Sequence, residues 1–339
     1  MSGDRNAVAE WDFGSSEGVA YHKLHRQTQL AFSQMNEQAE WGYWYWATDA
    51  SDGMTYQSGA DTVVREQFKK NGTLSNGGDT NYRAISKEWP VFAFASNLGK
   101  VSSSPVSTLF SIGLTQDEAI QYEGSSSYSP VPSLWKSYFD TEVEALTFFH
   151  KDFSESNRLS SAFDSQVAKD SAAISHDYLT LTSLSARQAF GAAQLTGTKE
   201  KTYLFLKEIS SDGNMNTVDV IFPAYPIFLY SNPELLRLVM DPLYENQEAG
   251  KYPNTYAMHD LGSSYPNATG HNDGTDEAMP LEECGNMVIM TLAYAQRTEN
   301  IDYLHAHYDL LKKWTGYLVE DALYPANQIS TDDFAGSLA

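Results

Sequence analysis

The apolar positions change period part-way along the chain. In the first half they come in short runs of the kind that form strands. Trp41-Gly42-Tyr43-Trp44-Tyr45-Trp46 puts aromatic residues on both faces of one predicted strand, and residues 88–95 read as another. Residues 62–68 and 108–114 are further extended candidates, set apart by clusters such as Asn76-Gly77-Gly78-Asp79. An aromatic strip can stack on sugar rings, but aromatic strands more often pack a sandwich core, and this half is read as a β-sandwich.

The Ser/Pro-rich stretch at residues 125–132 breaks that pattern, and residues 135–149 turn towards helical spacing. A domain junction is expected soon after, giving an N-terminal β-sandwich at 1–155 and a helical domain at 156–339. Leu179, Ala186, Phe190 and Ala193 share one face of a helix predicted over 176–195, while Leu181 and Leu184 fall outside the stripe and suggest burial on several sides. Asn232 as N-cap, Pro233 at the first helical position and Gly250 after the last turn delimit another helix, kinked or divided at Pro242. A third runs over 286–297, apolar nearly all round. A fourth, over 302–319, lines up Leu304, Tyr308, Leu311 and Leu318. An inner helix followed by an amphipathic outer one is the alternation of a helical toroid.

Composition narrows the function classes. With 44 acidic against 22 basic residues the formal net charge is -22, which repels the phosphate backbone and disfavours anionic lipid, so neither nucleic acid nor membrane is expected as a partner. At 339 residues, with 42% hydrophobic positions, two domains can each bury a core. The single cysteine, Cys284, leaves no internal disulfide and no multi-cysteine zinc site. Sequons at Asn71 and Asn267 suit a secreted surface. The stretch 1–6 has no apolar signal region, so either the protein is cytosolic or its beginning is missing; the last residues read as the opening of a further helix, and the chain is read as a fragment.

Residues 250–286 form a long connection rich in Gly, Pro, Asn and Asp, and a compact domain tolerates such a length when it is functional. It concentrates His259, Asp260, His271, Asp273, Asp276, Glu277, Glu282 and Glu283. The stretch 271–277 is oxygen-rich but lacks calcium-loop spacing, and no His-Glu-x-x-His motif occurs, so it reads as a surface turn and no metal is expected. No phosphate-binding glycine loop appears, and no cofactor is implied.

Several long motifs, in order, make a family recognisable. Ser185-Ala186-Arg187-Gln188-Ala189-Phe190-Gly191-Ala192, the run from Gly213-Asn214-Met215-Asn216 to Ala224, and Asn232-Pro233-Glu234-Leu235-Leu236 are three of them. Ala257-Met258-His259-Asp260-Leu261-Gly262, Met279-Pro280-Leu281-Glu282-Glu283-Cys284-Gly285-Asn286-Met287 and Ser330-Thr331-Asp332-Asp333-Phe334-Ala335-Gly336 complete the set. Together they resemble the glutaminase A family of filamentous fungi and some bacteria. The resemblance implies mixed α and β architecture, a β-sandwich followed by an (α/α)6 toroid that is incomplete at the C-terminus. It also implies an exported enzyme hydrolysing L-glutamine to L-glutamate and ammonia.

Amide hydrolysis needs an activated water, a stabilised oxyanion and a proton for the leaving amine, and two carboxyl groups of separated pKa supply the first and last. Asp260 and Glu283 are the leading catalytic candidates, with Glu282, Asp219 and Asp332 in reserve. His259, His271, Asn286 and Asp333 are candidates for substrate binding. Structural roles compete: a turn cap for Asp260, a helix cap or a pair with Arg187 for Glu283. Cys284, flanked by Glu283 and Gly285 with two carboxylates just before it, is a poor thiolate and reads as a small buried residue, and no Gly-x-Ser-x-Gly elbow is present. Paired carboxylates in a helical toroid equally describe a glycoside hydrolase, the alternative enzyme, and the aromatic strand alone would suit a non-catalytic carbohydrate-binding protein.

Overall fold

A computed structural model describes residues 4–209, 213–262 and 264–325. The chain divides into two compact units, Met1–Glu118 with Trp135–Ser161, and Ala119–Leu134 with Ala162–Ala339.

Among the described residues of the first unit, β1 (Val8–Ser16), β2 (Val19–Arg26), β3 (Tyr43–Asp49) and β6 (Phe110–Thr115) pair antiparallel in that order, with the short strand Arg83–Ala84 on the outer edge of β1. The register puts Trp11 opposite Leu24, Phe13 opposite His22, and His22 opposite Trp46, so these side chains share one face. A second sheet, β4 (Met54–Ala60) with β5 (Pro90–Ser96), covers that face through Tyr56 stacked on Phe13 and Phe92 edge-on to Trp11. The opposite face carries Tyr45 and Ala47, which pack with Val19 against Leu146 of α2 (Glu142–Lys151). Thr141 and Glu144 form a capping box at the start of α2. The aromatic strand thus feeds two cores, one on each side.

Residues 62–68, expected as extended, belong to a helix, α1 (Asp61–Asn71). Its local signals outweigh the β-branched pair at Val63 and Val64: Asp61 in the first turn, Lys69 and Lys70 in the last, and left-handed Gly72 closing on Phe68 O.

In the second unit, β7 (Glu118–Tyr122) lies between β8 (Ser129–Pro132) and the two-residue β11 (Asn267–Ala268), which it pairs in parallel. The change of unit at residues 161–162 falls within α3 (Phe153–Ala172), and α4 (His176–Gly191) follows. Leu181 and Leu184 of α4 are exposed, so that helix is buried on one side only. It ends at Gly191, and residues expected to prolong it form a hairpin of β9 (Ala193–Gly197) and β10 (Thr202–Leu206). The hairpin wins because it buries Tyr203, Leu204, Phe205 and Leu206 and turns at Gly197, φ 89°, where a Cβ would stand 2.2 Å from Lys201 O.

Helices α5 (Val218–Ser231) and α6 (Pro233–Glu248) meet at Asn232, whose side chain accepts the Glu234 N–H. Pro242 does not divide α6: the helix buries Leu236, Val239, Met240, Leu243 and Tyr244 completely, enough to offset a missing backbone donor worth about 3 kcal/mol. After α7 (Pro280–Thr298) the expected fourth helix is two, α8 (Ile301–Ala306) and α9 (Tyr308–Asp321). His307 leaves the helical conformation to stack on Tyr244 and bond Glu248, and the buried stripe becomes Leu310 and Trp314, with Leu311 and Leu318 at its margin.

His22 gives the first unit a pH signature. Burial lowers its pKa from the ordinary 6.5 to about 4, although Nε2 donates to Ala93 O at 3.1 Å. The folded ring therefore stays neutral where the unfolded chain takes up a proton, so stability is lost as pH falls from 6.5 towards 4, by up to roughly 3 kcal/mol. Denaturant titrations at pH 7 and 4.5 should show that loss in the native sequence and a smaller one in His22→Gln. Equal losses would assign the acid sensitivity elsewhere.

Candidate active site

Backbone pairing brings distant segments of the second unit together. Met215 N–H donates to Gly262 O, Leu261 N–H to Met215 O, and Val218 N–H to His259 O, at 2.7–2.8 Å. Asn216, at φ 48°, holds the near side of this ladder: its Oδ1 accepts from Leu206 N and its Nδ2 donates to Leu204 O and Val239 O. The ladder sets His259 and Asp260 against the first turn of α5, where Asp219 stands. Gly262, φ 142°, admits no side chain, because a Cβ would lie 2.6 Å from Asn267 O.

Further hydrogen bonds fix the far side. Ala257 N–H donates to Cys284 Sγ at 3.2 Å, Met258 N–H to Gln247 Oε1 at 3.1 Å and His259 N–H to Asp276 Oδ2 at 2.8 Å. Tyr252 OH donates to the other oxygen of Asp276. The backbone of residues 257–259 is thus tied to α7, α6 and its own loop.

The next side chain, Asp260, is 2% exposed and accepts three hydrogen bonds: His259 Nδ1 at 2.9 Å, His271 Nε2 at 2.8 Å and Gly262 N at 2.7 Å. Burial would raise its carboxyl, but the two histidines prevail and hold it at about 2. His271 Nδ1 faces Thr275 O at 3.1 Å, so both its ring nitrogens meet acceptors, an arrangement that favours the protonated ring. Burial opposes that charge as well, and the Asp260 hydrogen bond overrides it.

His259 Nε2 points the other way, 3.6 Å from Asp219 Oδ1 and 3.9 Å from Glu277 Oε2. Burial lowers its pKa, yet the Asp260 bond and the charges of Asp260, Glu283 and Asp219 raise it to about 9. Glu283, completely buried on α7, accepts from Asn286 Nδ2 at 3.2 Å through Oε2, while Oε1 has no hydrogen-bond partner among the described residues. Burial first, then the Asp219 charge, pushes its carboxyl well above the ordinary 4.5. The shifts are linked, for a proton on Glu283 removes one of the charges acting on His259, leaving Asp260 and Asp219. One ligand-type atom each from Asp219, His259 and Glu283 lies within 4.8 Å of the others.

Six of the residues singled out in the sequence therefore converge: Asp219, His259, Asp260, His271, Glu283 and Asn286. Glu282 stands beside them, half-buried, its charge acting on Glu283. Asp332 and Asp333 lie outside the described residues. Asp276 and Tyr252 were not singled out as site residues. The stretch 271–277, expected as a surface turn, exposes Asn272 and Asp273 but turns His271 and Asp276 inwards.

Comparison with known proteins bears on what such a site serves. Residues 175–339 match the glutaminase A six helical-hairpin domain, and residues 1–170 match a domain of unknown function, DUF5127. The chain belongs to the glutaminase A family. Along its whole length it is similar to glutaminase A of Aspergillus oryzae, at 66% identity over 341 residues and 49% of that protein. It is also similar to a "Probable glutaminase" of Arthroderma benhamiae, at 36% over 410 residues and 47% of that protein. The chain thus spans about half the length of these relatives.

Cys284 takes no part in the acid–base cluster. Burial raises its thiol to about 12, and its sulfur is occupied as an acceptor. A thiol reagent at pH 7.5 should leave the folded protein unlabelled and modify one group per chain in denaturant. Rapid labelling of the folded protein would contradict this burial.

Proposed function

We propose that this member of the glutaminase A family hydrolyses L-glutamine to L-glutamate and ammonia at the Asp219–His259–Glu283 cluster. Membership of the family and the names of both relatives support the substrate. The observation that carries the chemistry is Glu283, a fully buried carboxyl with one oxygen free of hydrogen bonds among the described residues, set within 4.8 Å of ligand-type atoms of Asp219 and His259. A carboxyl so placed holds a proton and can deliver it to the leaving amide nitrogen, while Asp219, 9% exposed, takes a proton from the attacking water. His259 supplies positive charge for the developing oxyanion. Asp260 acts through His259 and is a positioning residue, since all of its hydrogen bonds go to groups that orient the imidazole and the loop.

Ammonia release from L-glutamine, measured on the chain and on a protein of the relatives' full length, tests the reading. Glu283→Gln and Asp219→Asn should each lower turnover by about 100-fold or more with the fold retained. Near-native turnover in both variants would remove the pair from the mechanism, and release of reducing sugar from a glycoside without ammonia would favour a glycoside hydrolase.

The protein is further read as secreted and glycosylated. Its sequon Asn71 is exposed at the end of α1, whereas Asn267 is half-buried in β11. Peptide mapping of protein from a fungal host should find glycan on Asn71, and an unmodified Asn71 in the culture medium would count against this reading.

A further inference from the structure

We infer that Asp219, His259 and Glu283 form a binding site for one divalent transition-metal ion of the zinc class, and that the ion restrains turnover. Three features of the cluster point to a cation. The ligand-type atoms lie within 4.8 Å of one another, and His259 Nε2 stands 3.6 Å from Asp219 Oδ1. Bonds of about 2.0–2.1 Å in a tetrahedral zinc site separate the ligand atoms by roughly 3.3–3.5 Å, so that pair needs to close by only a few tenths of an ångström.

The second feature is Glu283. It is 0% exposed, and its Oε1 has no hydrogen-bond partner among the described residues, a costly state for a buried oxygen that a cation would relieve. The third is the support behind His259. Its Nδ1 donates to Asp260 at 2.9 Å, and Asp260 is itself fixed by His271 and the Gly262 N–H. A histidine that binds metal through one nitrogen nearly always donates its other N–H to a carboxylate or carbonyl in this way, which fixes the ring and strengthens its donor atom.

The donor set selects the ion. One imidazole with two carboxylates suits Zn²⁺ or Co²⁺, whereas Mg²⁺ and Ca²⁺ prefer oxygen-only shells. Three protein ligands leave a fourth position for water, and the 43% exposed Glu277 stands 3.9 Å from His259 Nε2. No spacing motif announces the site, because its ligands come from α5, the connection and α7.

The ion would occupy the imidazole nitrogen and carboxylate oxygens that the hydrolytic reading uses, so the restraint of turnover, but not the binding, rests on that reading. Co²⁺ provides the probe. Equilibrium dialysis of the metal-free protein should find one Co²⁺ per chain, with the visible absorption bands of a low-coordinate site. Glu283→Gln, close to isosteric and so the variant best able to fold, should abolish both, as should Asp219→Asn. Asp260→Asn should weaken binding by about 10- to 100-fold. Ammonia release by the unmodified protein should fall with the same midpoint as the bands rise and return on chelation.

No stoichiometric uptake, or uptake undiminished in folded Glu283→Gln, would overturn the site. Turnover unchanged or raised at saturation would overturn the restraint. Uptake without any ammonia release would leave the metal site standing and sink the hydrolytic reading, and ammonia release without uptake would do the reverse.

Discussion

The interaction on which the second unit's active region depends is the buried Asp260 carboxylate. Removing an ionised carboxylate from water costs several kcal/mol or more unless charges and donors replace the lost hydration. Two histidines and the Gly262 N–H do so here. His259 and Gly262 flank Asp260 and His271 lies eleven residues on, so satisfying one buried charge ties together two parts of a connection that has little regular structure of its own. The ladder to residues 215–218 and the ties to Gln247, Cys284 and Asp276 then fix that loop against α5, α6 and α7.

Two carboxyl groups of nearly the same intrinsic acidity end in opposite states. Asp260 has two histidine partners and is held at about 2, while Glu283 has one amide partner and a neighbouring Asp219, and is pushed well up. His259 links them, with one nitrogen on Asp260 and the other facing Asp219 and Glu277. The same arrangement suits both the proposed proton transfer and the proposed cation binding, because both require donor atoms converging in a buried position.

Elements with strong local signals were legible from the sequence. Asn232-Pro233 opens α6 with the expected cap, and the residues around 88–95 and 108–114 form strands. Where competing signals overlapped, local pattern misled. Val63-Val64 suggested a strand inside a capped helix. His307 broke a smooth helical stripe because stacking on Tyr244 and pairing with Glu248 are contacts made at long range. Tyr203 to Leu206 gave no clear sign of a strand within a helical region, since what stabilises it is burial in the core.

By itself the sequence determined the family, the order of a strand-rich half before a helical one, and the long connection in which His259, Asp260, His271 and Asp276 occur. Motifs and caps are local, and local interactions survive in one dimension. Only the tertiary structure decided the roles. Asp219 lies 40 residues before His259 and Glu283 lies 24 after it, separations that no periodicity connects. Which carboxylate is pushed towards its charged form and which away from it, and that the one cysteine serves as a buried acceptor, depend on desolvation and on partners from other elements. Those quantities exist only once the chain has folded.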